Sequence, residues 1–145
     1  MKRLITRTAT AVLCLAAALA ACGDDDDGFN PTVDTVAGSY TATTFTLNSG
    51  VGVVDLLEAG ASVTATLDPD GTTTGRLLVP AVGEGGSNLD EDLAGTWSLS
   101  GNTVTFTPSG STLLDDVDFA VSENRLTGEG TYEGAVLLLV LTRDE

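Results

Sequence analysis

The side chain with the most specific chemistry in this chain is the thiol of Cys22. It closes the sequence Leu-Ala-Ala-Cys at residues 19–22, behind an apolar run at residues 9–21 and a basic start. A basic start, a short apolar run and small residues at the end form the layout of a secretory signal. The run is too short for a membrane-spanning helix, which needs ~20 apolar residues. The layout therefore predicts export of the chain, with Cys22 at the end of the signal.

The Leu-Ala-Ala-Cys sequence resembles the signal of bacterial lipoproteins. That resemblance implies that residues 1–21 are removed after Ala21 and that the Cys22 thiol takes a diacylglycerol. The new amino group often takes a further acyl chain, such as palmitate. One chain gives marginal binding, and two or three give a firm membrane anchor. The resemblance thus implies a bacterial cell-envelope protein held by lipid, at the periplasmic face of the outer membrane or at the cell surface.

The charge of the chain excludes one class of partner. The full sequence carries −15, and removal of Lys2, Arg3 and Arg7 with the signal leaves three arginines against 21 acidic residues, or −18. Such a surface repels nucleic acid and anionic headgroups. We therefore expect no nucleic-acid partner.

The residues after Cys22 lack the side chains of most catalytic sites. They contain no His, no Lys and no further Cys. Nucleophile–base pairs of the common kinds need at least one of these residues, and zinc and copper sites prefer them. A carboxylate pair with a raised pKa remains the one catalytic option. We expect a protein that is not an enzyme and has no cofactor.

Calcium is the metal that acidic loops of this kind would suit, because it takes several carboxylate and carbonyl oxygens. The candidates are Asp90, Glu91, Asp92, Asp115 and Asp116. Their spacing matches no calcium loop, and solvated turns are the competing interpretation. We expect no metal site.

Residues 22–35 are predicted to be a flexible tether. Four consecutive aspartates at 24–27 repel one another and favour an extended, solvated chain. Their position just after Cys22 also resembles a surface-export signal of one bacterial phylum, and both interpretations stay open.

Short apolar runs separated by turn residues predict an all-β domain at residues 36–145. Tight hairpins are expected at 68–71, where Pro69 fixes φ and Gly71 supplies a positive φ, and at 101–102, 123–124 and 133–134. Consecutive hairpins favour one eight-stranded, antiparallel up-and-down barrel, which leaves no free sheet edge. The predicted strands are 36–47, 61–67, 72–79, 95–100, 103–107, 117–121, 125–132 and 135–142.

Three segments depart from this pattern. Residues 48–60 and 80–93 are predicted as long loops, the first with a helical turn at 55–60 ended by Gly60. Residues 135–141 are apolar throughout, where a half-buried strand would alternate. The outer face of this last strand is therefore either covered or an exposed apolar stripe.

The domain resembles the lipocalins. Gly38-Ser39-Tyr40 stands where that family has a Gly-x-Trp motif at the start of its first strand. The resemblance implies a barrel with a long loop after this strand and a late arginine over the motif aromatic. Arg143 is the candidate for that arginine and Arg125 is the alternative, so Gly38, Tyr40 and Arg143 are predicted to close one end of the barrel.

The aromatic residues leave two functions open. They either line a ligand pocket or fill the core, since eight strands leave room for side chains or one small ligand. The first option implies non-enzymatic binding of a small hydrophobic or amphipathic molecule, and the second implies an interaction lipoprotein that contacts a protein partner. The residues concerned are Tyr40, Trp97, Phe106, Phe119 and Tyr132.

Overall fold

Ten β-strands account for most of the described chain. The structure is a computed structural model and describes residues 28–81, 84–110, 113–115 and 117–145. The elements in chain order are helix α1 (Val33–Val36), β1 (Gly38–Asn48), β2 (Val53–Asp55), β3 (Ser62–Leu67), β4 (Thr72–Val79), a 3₁₀ turn (Glu84–Gly86), β5 (Leu89–Asp92), β6 (Gly95–Ser100), β7 (Thr103–Pro108), β8 (Asp118–Ser122), β9 (Arg125–Tyr132) and β10 (Ala135–Arg143).

Eight of these strands close into one antiparallel barrel. Each of β3, β4, β6, β7, β8, β9 and β10 pairs with its neighbour, and β1 pairs with both β3 and β10. The β1–β10 ladder runs from Tyr40 opposite Arg143 to Asn48 opposite Val136. The all-β, eight-stranded, up-and-down barrel predicted from the sequence is therefore confirmed.

The two remaining strands lie within the segments predicted as loops. β2 pairs with the end of β1, beyond the part of β1 that pairs with β3. β5 pairs with the end of β4 in the same way, beyond the β4–β6 pairing. Both strands therefore extend one end of the barrel. The turn at 56–60 follows β2 and ends at Gly60, whose φ is +97°.

The two ends of the barrel differ. The helix end carries α1 and the tight turns at 68–71, 101–102 and 123–124. The loop end carries the β1–β2 and β4–β5 connections, the β7–β8 connection and the turn at 133–134.

Alternation along the strands builds the core. Val63, Ala65 and Leu67 of β3 are buried, as the period-two pattern predicts. In β1 the register against β10 shifts between Ala42 and Thr44. Such a β-bulge adds one residue to a strand, and here it keeps both Tyr40 and Phe45 inside.

Glycine makes room for the fully buried ring of Phe119. Phe119 of β8 pairs with Gly128 of β9 and is fully buried. A Cβ at residue 128 would lie 2.5 Å from the Phe119 ring and 2.8 Å from Val117. The ring therefore occupies the space that a larger residue on β9 would need.

Helix α1 precedes β1 at the helix end. Thr32 caps it, because the Thr32 hydroxyl accepts from the Thr35 amide while the Thr35 hydroxyl accepts from the Thr32 amide. Phe29 packs against the core and Pro31 is buried, so residues predicted to belong to the tether contact the barrel. No helix among the described residues is long and apolar enough to cross a membrane.

Candidate functional site

Gly38, Tyr40 and Arg143 meet at the helix end. Tyr40 is 3 % exposed and its hydroxyl donates to the Val36 carbonyl at 2.7 Å. Arg143 donates from Nη1 to the Thr35 carbonyl at 2.6 Å and from Nη2 to the Ala37 carbonyl. The two side chains therefore satisfy three carbonyl groups around the end of α1, which a helix cannot satisfy internally.

Electrostatics at this site favour a neutral Tyr40. Burial raises the pKa of the Tyr40 hydroxyl, and the positive charge of Arg143 offsets part of that rise. The hydroxyl consequently stays protonated at neutral pH and acts as a hydrogen-bond donor. Its hydrogen bond to the Val36 carbonyl connects strand β1 to helix α1.

The other predicted aromatic residues lie in or beside the core. Trp97 is 6 % exposed, and its indole N–H donates to the Asp68 carbonyl at 2.8 Å. Phe106 and Phe119 form an edge-to-face pair with ring centroids 5.1 Å apart. Tyr132 is partly buried against the core at the loop end. These contacts make the aromatic residues packing partners of one another and of the backbone.

The described side chains leave little free space inside the barrel at the loop end. Among the described residues, a cavity of about 20 Å³ lies at the loop end, lined only by apolar residues and Tyr132. Its lining is Leu47, Leu56, Val79, Leu89, Leu113, Tyr132 and Leu137. That volume is about the minimum that one water molecule requires. The buried polar side chain Thr73 has no hydrogen-bond partner for its hydroxyl in the described part of the chain.

Exposed valines form a surface at the loop end. Val51 is 98 % exposed, Val53 64 %, Val54 51 % and Val136 42 %. Val53 and Val136 lie on either side of Asn48 in adjacent ladders, so both point to the outside of the sheet. Val54 lies in the row of Leu47 and Leu137 and therefore on the opposite face of β2. We call Val53 and Val136, together with the exposed Val51 that precedes β2, the valine surface.

The outer face of β10 continues this surface. Ala135, Leu137, Leu139 and Leu141 are buried, so the alternate residues Val136, Leu138 and Val140 face outward. Leu138 and Val140 are partly exposed. The structure therefore resolves the two options for the apolar last strand: its outer face is an apolar stripe that neighbouring strands cover only in part.

The acidic residues considered as calcium ligands do not converge on one site. Leu89 packs on the core, so Asp90 and Asp92 point to the other face of β5. The Asp92 carboxylate accepts from the Ala94 amide at 2.8 Å, and Asp115 is exposed. No group of three acidic residues in the described ranges could hold a metal ion.

Arg76 holds the carboxylate of Asp90. Its Nε and Nη2 donate to the two carboxylate oxygens at 2.7 and 2.5 Å. These hydrogen bonds lower the pKa of Asp90. Both side chains are well exposed, so the pair adds little stability. Arg76 consequently belongs to a surface ladder between β4 and β5.

A cleft lies at the helix end. Its volume is about 770 Å³, and it lies between Phe29 and the β8–β9 hairpin. Its polar lining includes Asn102, Asn124 and Arg125, with Val121 at its base. Arg125, which the sequence offered as the alternative to Arg143, thus lines a cleft, whereas Arg143 contacts α1.

Cys22 and Asp116, two of the predicted site residues, lie outside the described residues. Sequence reasoning did not find the valine surface on β2, although the exposed dipeptide Val53-Val54 between Gly52 and Asp55 was a signal for a short edge strand. It also did not find the helix-end cleft, because four separate segments of the chain form it.

The residues that the structure brings together are therefore Gly38, Tyr40 and Arg143 at one end of the barrel, and the valine surface at the other. The chain was compared with family models, with curated proteins and with solved structures, and none of them matches it.

Proposed function

We propose that this chain is a bacterial envelope lipoprotein, anchored through acyl chains on Cys22, that binds a protein partner through the valine surface without catalysing a reaction. The observation that carries the proposal is a barrel with a filled interior and an apolar outer surface. The Leu-Ala-Ala-Cys sequence supports the anchor, and the outer membrane is the proposed location.

The interior argues against a ligand carried within the barrel. Pockets for small molecules usually enclose ~300–1,000 Å³, whereas the cavity at the loop end measures about 20 Å³. Opening a cavity of the usual size would require several fully buried side chains to move, among them Phe45, Leu137 and Leu139. Such rearrangement is costly because protein interiors are close-packed.

The outer surface is the alternative place for a binding function. Exposed valines are uncommon as a group, and contiguous apolar patches on soluble domains mark interaction sites. Here they are rimmed by carboxylates, with Asp55 at the end of β2 and Glu129 opposite Leu138 in β9. Asn48 lies between Val53 and Val136 and adds one polar side chain to this surface. A mainly apolar surface with a polar rim is the usual anatomy of a protein interface.

The anchor would orient this surface away from the membrane. Residues 23–28 span at most about 20 Å when fully extended, and Gly28 lines the cleft at the helix end. A chain anchored at Cys22 would hold the helix end near the bilayer. The valine surface at the opposite end would then face the aqueous compartment, where a protein partner is available.

Photo-crosslinking from a single introduced thiol tests this proposal. In the lipidated chain Cys22 is acylated and Cys14 has been removed, so Val136→Cys supplies the one free thiol for a photoreactive maleimide. We expect a discrete covalent adduct in the native envelope from Val136→Cys. Glu123→Cys, at the exposed helix end, is the matched control. Equal adducts from both positions, or none from Val136→Cys, would contradict the proposal.

The helix-end cleft supports a second candidate function, which is binding of a small amphipathic anion. Its volume of about 770 Å³ suits a small molecule. Phe29 and Val121 offer apolar contacts, and the Arg125 guanidinium offers a partner for a carboxylate or phosphate. Titration with a fatty acid tests it: saturable binding that Arg125→Gln weakens would favour this function over the first.

A further inference from the structure

β2 is an edge strand, and its outer side is open. Val53–Asp55 pairs with β1 on one side, and no described strand pairs with it on the other. Residues 49–55 are all exposed. An exposed strand edge presents unpaired N–H and C=O groups, which is a template for another strand.

The hydrogen bonds around β2 identify which backbone groups are open. The Leu56 amide donates to the Phe45 carbonyl at 2.8 Å, and the Ser49 amide donates to the Gly52 carbonyl at 3.2 Å. Bonded positions alternate along an antiparallel ladder. Residues 52, 54 and 56 therefore direct their backbone groups toward β1, and Val53 and Asp55 direct theirs away from it. The Asp55 carbonyl accepts from the Ala59 amide at 3.2 Å, so the open groups are the N–H and C=O of Val53 and the N–H of Asp55. Among the described strands, β2 pairs with β1 alone, so no ladder runs along the outward-facing amides of Val53 and Asp55.

The charges near this edge define the chemistry of its occupant. Asp55 and Glu58 lie beside β2, and Glu133 lies in the turn next to Val136. The arginines of the described residues lie elsewhere: Arg125 and Arg143 are at the helix end, and Arg76 is bound by Asp90. A strand that pairs here therefore meets apolar side chains and negative charge, which basic residues complement.

The same charges disfavour a second copy of this chain. The full sequence carries −15, so two copies would bring their acidic loop ends together. Like charges placed opposite one another across a strand pair are destabilising. A positively charged partner avoids this repulsion. Its attraction to the acidic loop end would also raise the rate of association.

We propose that β2 docks an extended segment of a partner protein, rich in alternating apolar and basic residues, which adds to the barrel as a strand along Val53–Asp55. This inference rests on the proposed function and names its binding mode. Main-chain hydrogen bonds from Val53 and Asp55 would provide affinity, and the valine surface would select the apolar side chains, as in other strand-addition complexes.

Selection from a random peptide library displayed on phage tests the inference, with the lipidated chain in detergent micelles as bait. We expect the enriched peptides to carry alternating apolar residues and a net positive charge. Val53→Pro and Val53→Ala then separate backbone from side chain. Both remove the valine, but only proline removes the outward-facing N–H, and proline is tolerated at a free edge.

The expected result is a loss of affinity of about tenfold or more for Val53→Pro and a clearly smaller loss for Val53→Ala. A second measurement serves if Val53→Pro does not fold. N-methylation of the selected peptide at alternate residues should abolish binding in one register and spare it in the other.

Three outcomes would overturn the inference: equal losses from Val53→Pro and Val53→Ala, insensitivity to N-methylation in both registers, or a selection that yields acidic peptides or none. Equal losses together with a crosslink from Val136→Cys would leave the proposed interaction function standing and reject only strand addition. No crosslink from Val136→Cys would reject the proposed function itself.

Discussion

The guanidinium of Arg143 lies where a side chain at residue 38 would begin. A Cβ on Gly38 would stand 2.8 Å from Arg143 Nε, and Gly38 has a φ of +153°, which side chains rarely adopt. The first residue of β1 and the last residue of β10 therefore fit one another only because residue 38 is glycine. This fit lets Arg143 reach the carbonyls of Thr35 and Ala37.

Replacing Gly38 tests that relationship. Gly38→Ala should destabilise the fold by about 1–3 kcal/mol through backbone strain, and further through displacement of Arg143. Urea unfolding followed by Trp97 fluorescence measures the loss. Gly50→Ala is the control, because Gly50 has a φ of +82° with nothing within 4 Å of its Cβ. Equal losses would mean that Arg143 does not depend on the glycine.

Alkaline pH should weaken the contact between Tyr40 and α1. A tyrosine exposed to water has a pKa of about 10. Burial raises the pKa of Tyr40 in the folded protein, so the unfolded chain loses its proton first. The contribution of the protonated Tyr40 hydroxyl to folding stability is therefore complete below about pH 10, and it declines as the pH rises above that value. Tyr40→Phe should lose about 0.5–1.5 kcal/mol at neutral pH, with the hydrogen bond to Val36.

Tyr40→Phe should also reduce the loss of folding stability at alkaline pH, because the variant has no hydroxyl to ionise at this position. Tyr132→Phe is the control, since it removes a tyrosine but keeps the Tyr40 hydroxyl. Urea unfolding at neutral pH and above about pH 10 gives both quantities. If raising the pH lowers the stability of the wild-type protein no more than that of Tyr40→Phe, the hydroxyl of Tyr40 is not in a buried environment.

Phe119 and Gly128 should behave as a coupled pair. Gly128→Ala places a methyl group 2.5 Å from the Phe119 ring, and such overpacking typically costs about 1–3 kcal/mol. In Phe119→Leu the ring is gone, so the added methyl group should cost less. A double-mutant cycle should therefore give a coupling energy of about 0.5–3 kcal/mol.

Gly52→Ala is the control for that cycle, because nothing lies within 4 Å of its Cβ. It should change stability little in either background. Strict additivity between Gly128→Ala and Phe119→Leu would contradict the packing of the ring over β9.

The strands were readable from the sequence because alternation has a direct physical cause. Val63, Ala65 and Leu67 face the core while their neighbours face solvent, and this pattern marks a strand whatever lies beside it. Arg143 was identified through resemblance to lipocalins, since nothing in its spacing reports which carbonyls it reaches.

The short strands β2 and β5 could not be predicted from the sequence, and the reason is again physical. All three residues of β2 are exposed, and three of the four residues of β5 are acidic, so neither strand has a buried apolar face of its own. Pairing with the long strands β1 and β4 makes them strands. The bulge in β1 is likewise a property of the β1–β10 register, which one segment of sequence does not encode.

Divalent cations should stabilise the domain weakly and without selectivity. Asp90 is bound by Arg76, and Asp90 and Glu91 point to opposite faces of β5, so these carboxylates do not converge on one ion. Thermal melts in calcium and in magnesium, at matched ionic strength, should therefore show small and equal shifts from screening alone.

The double variant Asp90→Asn, Asp92→Asn checks the calcium result. Its melting temperature should again shift by small and equal amounts in calcium and in magnesium. A gain of several degrees in calcium alone, abolished by this double change, would show that the 80–93 segment binds calcium.

Native mass spectrometry of the chain, extracted from its own membrane in detergent, tests the central claim most directly. We predict a polypeptide that begins at Cys22, carries acyl chains, and holds no further small molecule, because the loop-end cavity between the described core residues measures about 20 Å³. An unmodified Cys22 would contradict the anchor. A stoichiometric small molecule that is retained in Arg125→Gln, and so bound away from the helix-end cleft, would contradict the filled interior.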